Sequence, residues 1–154
     1  MASKIDVLLD KYGESHQNKT NKLIHWICVP LIFYSIVALI WSIPFPYNWS
    51  ANFNWASIAL ILVLIYYFRL SVSLALGMTL FAFLCMTVCI VVSKVSSDFL
   101  WQSAIGIFVI SWVFQFVGHK IEGKKPSFLE DLQFLLIGPA WLMHFLFKKA
   151  GIPY

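Results

Sequence analysis

Four histidines, His16, His25, His119 and His144, punctuate a chain of 154 residues that is 60% hydrophobic. Ionisable side chains at membrane depth are costly, and they usually line a cavity or a functional site. Neutral imidazole is also the commonest metal ligand. Several imidazoles with a carboxylate and open positions are what non-haem Fe(II) needs to bind substrate and oxygen together. Glu122 lies three residues after His119 and shares its face if the helix continues one turn. Glu14, Glu130 and Asp131 are further carboxylates. Asn18 and Asn21 lie between the first two histidines, where an amide can orient an imidazole through its second nitrogen. Ser111, Gln115 and His119 follow at i, i+4 and i+8, a polar stripe that must face protein rather than lipid. Each residue also has a plainer reading. A histidine at a helix end can be an interfacial or capping group, Gln115 an interhelical hydrogen bond, and Glu122 a solvated loop charge.

The elements that must position these residues are helices in a bilayer. Only 12% of residues are charged, and the mean hydropathy is +0.80, far outside the soluble globular range. The 11 basic against 7 acidic residues read as membrane topology rather than nucleic-acid binding. Cys28, Cys85 and Cys89 fall inside apolar runs and suggest packing, not a disulfide framework. The first 22 residues are polar and show no cleavable signal pattern. They hold one short amphipathic helix, with Ser3 as N-cap, Ile5, Leu8, Leu9 and Tyr12 on its apolar stripe, and Gly13 at its end. That helix is expected to lie in the interface.

Leu23 to Ile43, Trp55 to Phe68, Val72 to Val92 and Phe99 to Gly118 are four spanning candidates. Arg69 sits in a very short turn, and Ser93 to Asp98 reads as a polar loop. Ser127 and Glu130 form a capping box after Pro126. Leu132 to Phe147, interrupted by Gly138-Pro139, suits a re-entrant or short fifth hydrophobic segment. The fold expected is a single all-α membrane domain over 1–154: an interfacial region (1–22), four spans (23–118), then a loop and C-terminal hydrophobic segment (119–154).

A cytosolic N-terminus puts Lys4, Lys11, Lys19, Lys22, Arg69, Lys120, Lys124 and Lys125 in the cytosol, with Lys94 opposite. A returning tail adds Lys148 and Lys149 to the cytosolic set, which favours both termini inside. His16, His25 and His119 then converge at one membrane boundary. His144 joins them only if the tail turns back.

Two blocks carry a family resemblance. The first is His16-Gln17-Asn18-Lys19-Thr20-Asn21-Lys22-Leu23-Ile24-His25. The second is Trp112-Val113-Phe114-Gln115-Phe116-Val117-Gly118-His119, followed by Glu122 and Pro126. From about Lys11 to Pro153 the chain resembles the Mpo1-like family. The resemblance implies an Fe(II)-dependent dioxygenase in the alpha-oxidation of 2-hydroxy fatty acids, with eukaryotic members in the endoplasmic reticulum. Carried over by position, His16, His25 and His119 are the metal and catalytic residues, with Glu122, the acid after the third histidine, as a further candidate metal ligand. His144 stands near a glutamate of the family tail and is a candidate fourth ligand. Gln115, Lys120, Lys124 and Lys125 are candidate substrate contacts, and Asn18 and Asn21 candidate supports of the imidazoles.

The implied reaction balances without another reductant: a 2-hydroxy acid plus O2 gives the acid one carbon shorter, CO2 and water. The expected partners are that acid, O2 and the lipid bilayer. The membrane is a bacterial inner membrane or the endoplasmic reticulum, depending on source. Two other readings stay open: an iron enzyme acting on another lipid, and a membrane scaffold or transporter subunit whose polar stripe packs helices.

Overall fold

Ser3 opens the first helix, α1 (Lys4–Gly13), through a reciprocal capping box. Its hydroxyl accepts from the Asp6 amide, and the Asp6 carboxylate accepts from the Ser3 amide. The computed structural model describes residues 3–46, 53–123 and 134–153. Asn18 caps α2 (Lys19–Trp41) and Asn54 caps α3 (Trp55–Leu70). Next come α4 (Val72–Val95), α5 (Ser97–Glu122) and α6 (Ile137–Ala150). Among the described residues the fold is all-helical. Helices α2, α4 and α5 are long and apolar enough to cross a membrane; α3 is a shorter apolar helix of 16 residues.

Polarity is arranged inside-out. Leu80, Phe83 and Leu84 are 72%, 70% and 57% exposed, whereas His16, Asn21, His25, Ser35, Ser111, Gln115 and His119 are buried. An apolar exterior over a polar-lined interior is what lipid as solvent selects. The stripe Ser111, Gln115, His119 therefore faces protein, as its spacing requires.

Helix α5 lies against α2 over its length, and α4 packs on both α3 and α5. The α2–α5 pair is antiparallel. Asn21 near the start of α2 meets Glu122 at the end of α5, and Cys28 meets Ser111. Gly118 leaves room for the buried Asn21 side chain, whose Oδ1 a Cβ at that position would strike.

The polar loop expected from Ser93 to Asp98 is a single residue. Ser96 is extended, ends α4, and caps α5 by accepting from the Phe99 amide. Ser71 does the same between α3 and α4. A serine that is C-cap to one helix and N-cap to the next leaves no loop.

Gly138-Pro139 also differs from expectation. The pair lies in the first turn of α6 rather than interrupting a helix, where a missing proline N–H has no intrahelical acceptor to lose. The Ser127–Glu130 capping box lies outside the described residues. Among the described residues, α6 packs on α1, α2 and α4. Tyr67, near the end of α3, donates to the Leu136 carbonyl. Gly138 abuts Tyr12 and Val29, Phe145 faces Trp26, and Met143 and Phe147 cover Gly77. These contacts lay α6 against the first helix and the N-terminal halves of α2 and α4.

Candidate metal centre

Three histidines reach one point by three routes. His16 follows α1 in a tight turn, its amide donating to the Gly13 carbonyl. His25 lies two turns into α2, and His119 lies in the last turn of α5. All three are buried, and one ligand atom from each lies within 4.8 Å of the others. Ring centroids are 4.2 Å apart for His16 and His25, 5.0 Å for His25 and His119, and 5.3 Å for His16 and His119.

The hydrogen bonds orient two of the rings. His16 Nδ1 is 2.6 Å from the Tyr12 carbonyl, and His25 Nδ1 is 3.0 Å from the Asn21 carbonyl. A carbonyl oxygen only accepts, so each Nδ1 carries a proton, and in the neutral ring Nε2 is then the nitrogen with the lone pair. Metal-binding histidines are commonly held this way. Metal–nitrogen bonds of about 2.1 Å would bring neighbouring donors to roughly 3 Å, a modest inward movement. The donor set fits a divalent transition metal.

Aromatic rings wall the site. Tyr12 stacks on His16 at 4.3 Å with planes 13° apart, and Trp141 of α6 stands 5.4 Å away. Tyr12 and Trp141 also face each other at 5.3 Å.

Glu122 is placed beside the site, close enough for an electrostatic interaction with His16. One carboxylate oxygen accepts from the Gln17 amide at 2.7 Å; the other accepts from the Asn18 amide at 2.9 Å and Asn21 Nδ2 at 3.0 Å. A carboxylate at a helix N-terminus meets unpaired N–H groups and the positive end of the dipole. Glu122 thereby clamps the end of α5 to the start of α2. It lies outside the three-histidine group.

The other expected residues divide. Asn21 supports His25 through its carbonyl, while its side chain donates to the Ser15 carbonyl and Glu122. Asn18 caps α2, accepting from the Thr20 amide, rather than supporting a ring. Gln115, one turn below His119, lines a small void of about 20 Å³ with Tyr12, Val29 and Gly138. Lys120 is exposed, and Lys124 and Lys125 lie outside the described residues.

His144 lines an open cleft of about 220 Å³ together with His16, Lys22, Asp10 and Glu14, but stands apart from the cluster. Burial pushes its imidazole below the ordinary value, Lys148 adds to this, and Asp6 and Asp10 oppose it. The structure adds Tyr12, Trp141, Lys22 and Gly118 to the residues that shape the site. Only Gly118 carried a local signal, its place directly before His119.

An all-helical fold with apolar spans and a buried three-imidazole cluster at one end defines a membrane-type protein with a candidate metal centre. Residues 2–150 match the family described as 2-hydroxy-palmitic acid dioxygenase Mpo1-like, and the chain belongs to that family. A segment of 59 residues is 39% identical to 2-hydroxy-palmitic acid dioxygenase MPO1 of Saccharomyces cerevisiae. That similarity covers 36% of this chain and 34% of the yeast protein, so the match spans about a third of the relative's length. No solved structure matches.

Proposed function

We propose that this protein is an Fe(II)-dependent dioxygenase that converts a 2-hydroxy fatty acid to the acid one carbon shorter and CO2. The observation that carries this reading is the buried cluster His16, His25 and His119 in a chain whose family is named for that activity. Zinc also suits three imidazoles but has no redox chemistry, which favours iron for a dioxygenase. Bound Fe(II) would supply the redox centre at which O2 and the hydroxy acid meet, so that proximity provides much of the rate gain.

The chain's own residues do the rest. The Tyr12 and Asn21 carbonyls fix the ligand tautomers of His16 and His25. Tyr12 and Trp141 exclude water from one side of the site. Lys22 lines the cleft beside His16 and offers an ammonium to the substrate carboxylate. Lys120, Lys124 and Lys125 add positive potential nearby. Gln115, buried next to His119 on the α5 stripe, is a hydrogen-bonding group for the 2-hydroxyl. The protein sits in a membrane with both termini and the site on the cytosolic side.

The test is metal and product analysis of purified protein. Wild type is expected to hold about one iron and to turn 2-hydroxypalmitate into a C15 acid with one O2 consumed. His16→Ala, His25→Ala and His119→Ala should each lose the metal. Full iron retention in all three variants rejects the site, and zinc with no O2 uptake rejects the chemistry.

A further inference from the structure

Away from the aqueous cleft, two voids follow one face of α2, the nearer of them lined by Tyr12 and Gln115 beside the histidine cluster. The first, lined by Val29, Ile32, Trp112, Gln115 and Leu135, lies just below the rings. The second, of about 70 Å³, is lined by Phe33, Ile36, Val37 and Ile40 of α2, by Ala56, Ala59, Leu60 and Val63 of α3, and by Leu135 and Leu136. Leu135 lines both, so the two voids approach each other at this residue. Along α2 the lining runs Val29, Phe33, Val37 and Ile32, Ile36, Ile40. Both series advance by one turn, so they form one continuous stripe.

We propose that these voids are the two ends of a single acyl-chain channel, and that Ala56 and Ala59 of α3 set the chain length it accepts. The inference rests on the function proposed above and deepens it by locating the substrate's hydrocarbon tail. Three observations select that occupant. The distal void is lined by apolar side chains alone, so nothing there pairs with a headgroup or an ion. The proximal void carries Gln115 at the histidine end, so polarity falls with distance from the centre, as in an acid with an alkyl tail. Length agrees too. From His25 to Ile40, α2 rises about 22 Å, compared with roughly 15 Å for one leaflet of a 30 Å hydrocarbon core. A long acyl chain fits that distance; a short hydroxy acid would leave the distal void empty.

The alanines are the specificity element because they alone on the α3 side lack side-chain length. Ala56 is buried, and Ala59 is half-buried beside it on the next turn. A leucine at either position fills the distal void. Where they approach each other, Leu135→Ala joins the two voids.

The experiment has two arms. In the first, purified Ala59→Leu, Ala56→Leu and Leu135→Ala are assayed on 2-hydroxy acids of 10, 12, 14, 16 and 18 carbons. The alanine replacements should lower kcat/KM at least tenfold for 16 and 18 carbons and less than twofold for 10 carbons. Leu135→Ala should raise relative turnover of the longest acids. Equal changes at every length would overturn the proposal. The second arm uses wild-type protein and needs no turnover: palmitate bearing a diazirine near its methyl end is photocrosslinked and the adducts are mapped. Adducts on Ile36 to Ile40 and Ala56 to Val63 support the channel; adducts confined to lipid-facing residues such as Leu80 and Phe83 reject it. If wild type oxidises no hydroxy acid but the adducts fall in the channel, the reaction is wrong and the channel stands. If it oxidises them with no length-selective effect and no channel adducts, the channel alone is wrong.

Discussion

Glu122 and Asn21, 101 residues apart in the chain, are joined by a 3.0 Å hydrogen bond. Asn21 in turn holds His25 through its carbonyl, so the end of α5 sets the rotation of a ring on α2. If Glu122 acts through these bonds as a positioning residue, its replacement should separate from that of a ligand. Glu122→Gln should cost about 1–3 kcal/mol in stability through weakened charge-assisted bonds and lower metal affinity roughly 10- to 100-fold. Metal stoichiometry at saturating iron should stay that of wild type, whereas His25→Ala should bind none. Iron titration followed by elemental analysis distinguishes the two; no iron at saturation in Glu122→Gln would make Glu122 a ligand.

Gly118 is where α5 must carry no side chain. A Cβ there would collide with Asn21 Oδ1, and the bonds from Asn21 to the Ser15 carbonyl and Glu122 leave that side chain little room to turn aside. Gly118→Ala should destabilise the protein by about 1–3 kcal/mol and weaken metal binding. Gly106→Ala, with nothing within 4 Å of the added atom, is the matched control. Thermal unfolding of both in detergent checks the difference, and equal behaviour would remove the packing argument.

Tyr12 holds His16 twice, through its carbonyl and through its ring. Tyr12→Phe keeps both contacts and should bind metal within threefold of wild type. Tyr12→Ala loses the stack, worth about 0.5–1.5 kcal/mol, and should weaken metal about tenfold. Isothermal titration with Fe(II) or Co(II) under anaerobic conditions reads the difference.

Helix α6 packs on α1 and the N-terminal halves of α2 and α4, which predicts a topology. Single cysteines at Lys11 and Lys149, in a background lacking Cys28, Cys85 and Cys89, should react with a membrane-impermeant maleimide from the same side. A cysteine at Lys94 should react from the other. Labelling of position 149 together with position 94 would mean that α6 crosses.

The capping box of α1 gives a dependence on pH. Hydrogen bonds from the Ser3 hydroxyl and amide hold Asp6 below its ordinary value. A lowered folded pKa stabilises fully above the unfolded value, and the contribution is lost as pH falls through the folded one. Loosening of α1 should therefore set in as pH falls below the usual aspartate value and be complete below the lowered one. Ser3→Ala should cost about 1 kcal/mol at neutral pH and flatten this acid dependence. Hydrogen exchange at the amides of residues 4–13 measures both.

Helical periodicity and hydropathy in the sequence carried most of this architecture. The polar stripe on α5 and the convergence of His16, His25 and His119 followed from which end of each span they occupy. Other features depended on tertiary packing. Ser71 and Ser96 read as parts of loops because nothing local shows that one serine will cap helices on both sides. Helix α2 starts at Lys19 rather than Leu23, because Asn18 caps a polar turn that hydropathy alone discards. Lys22 and Lys120 look equivalent in sequence, but Lys22 faces the cleft while Lys120 is exposed. Tyr12 read as one more apolar residue of α1. Its contact with His16 exists because the chain turns sharply after Gly13 and lays one ring on the other.

The route of the chain through the centre also imposes an order in time. His16 and His25 leave the ribosome early, but their third partner lies in the last turn of α5. The clamp that fixes α5 against α2 comes three residues later still. The centre therefore cannot close until the final long hydrophobic helix has been synthesised and inserted. Nascent and truncated chains ending before His119 would carry two imidazoles and no cage. Loading of the metal would then be a late step of biogenesis, and a metal-bound protein one whose membrane assembly is already complete.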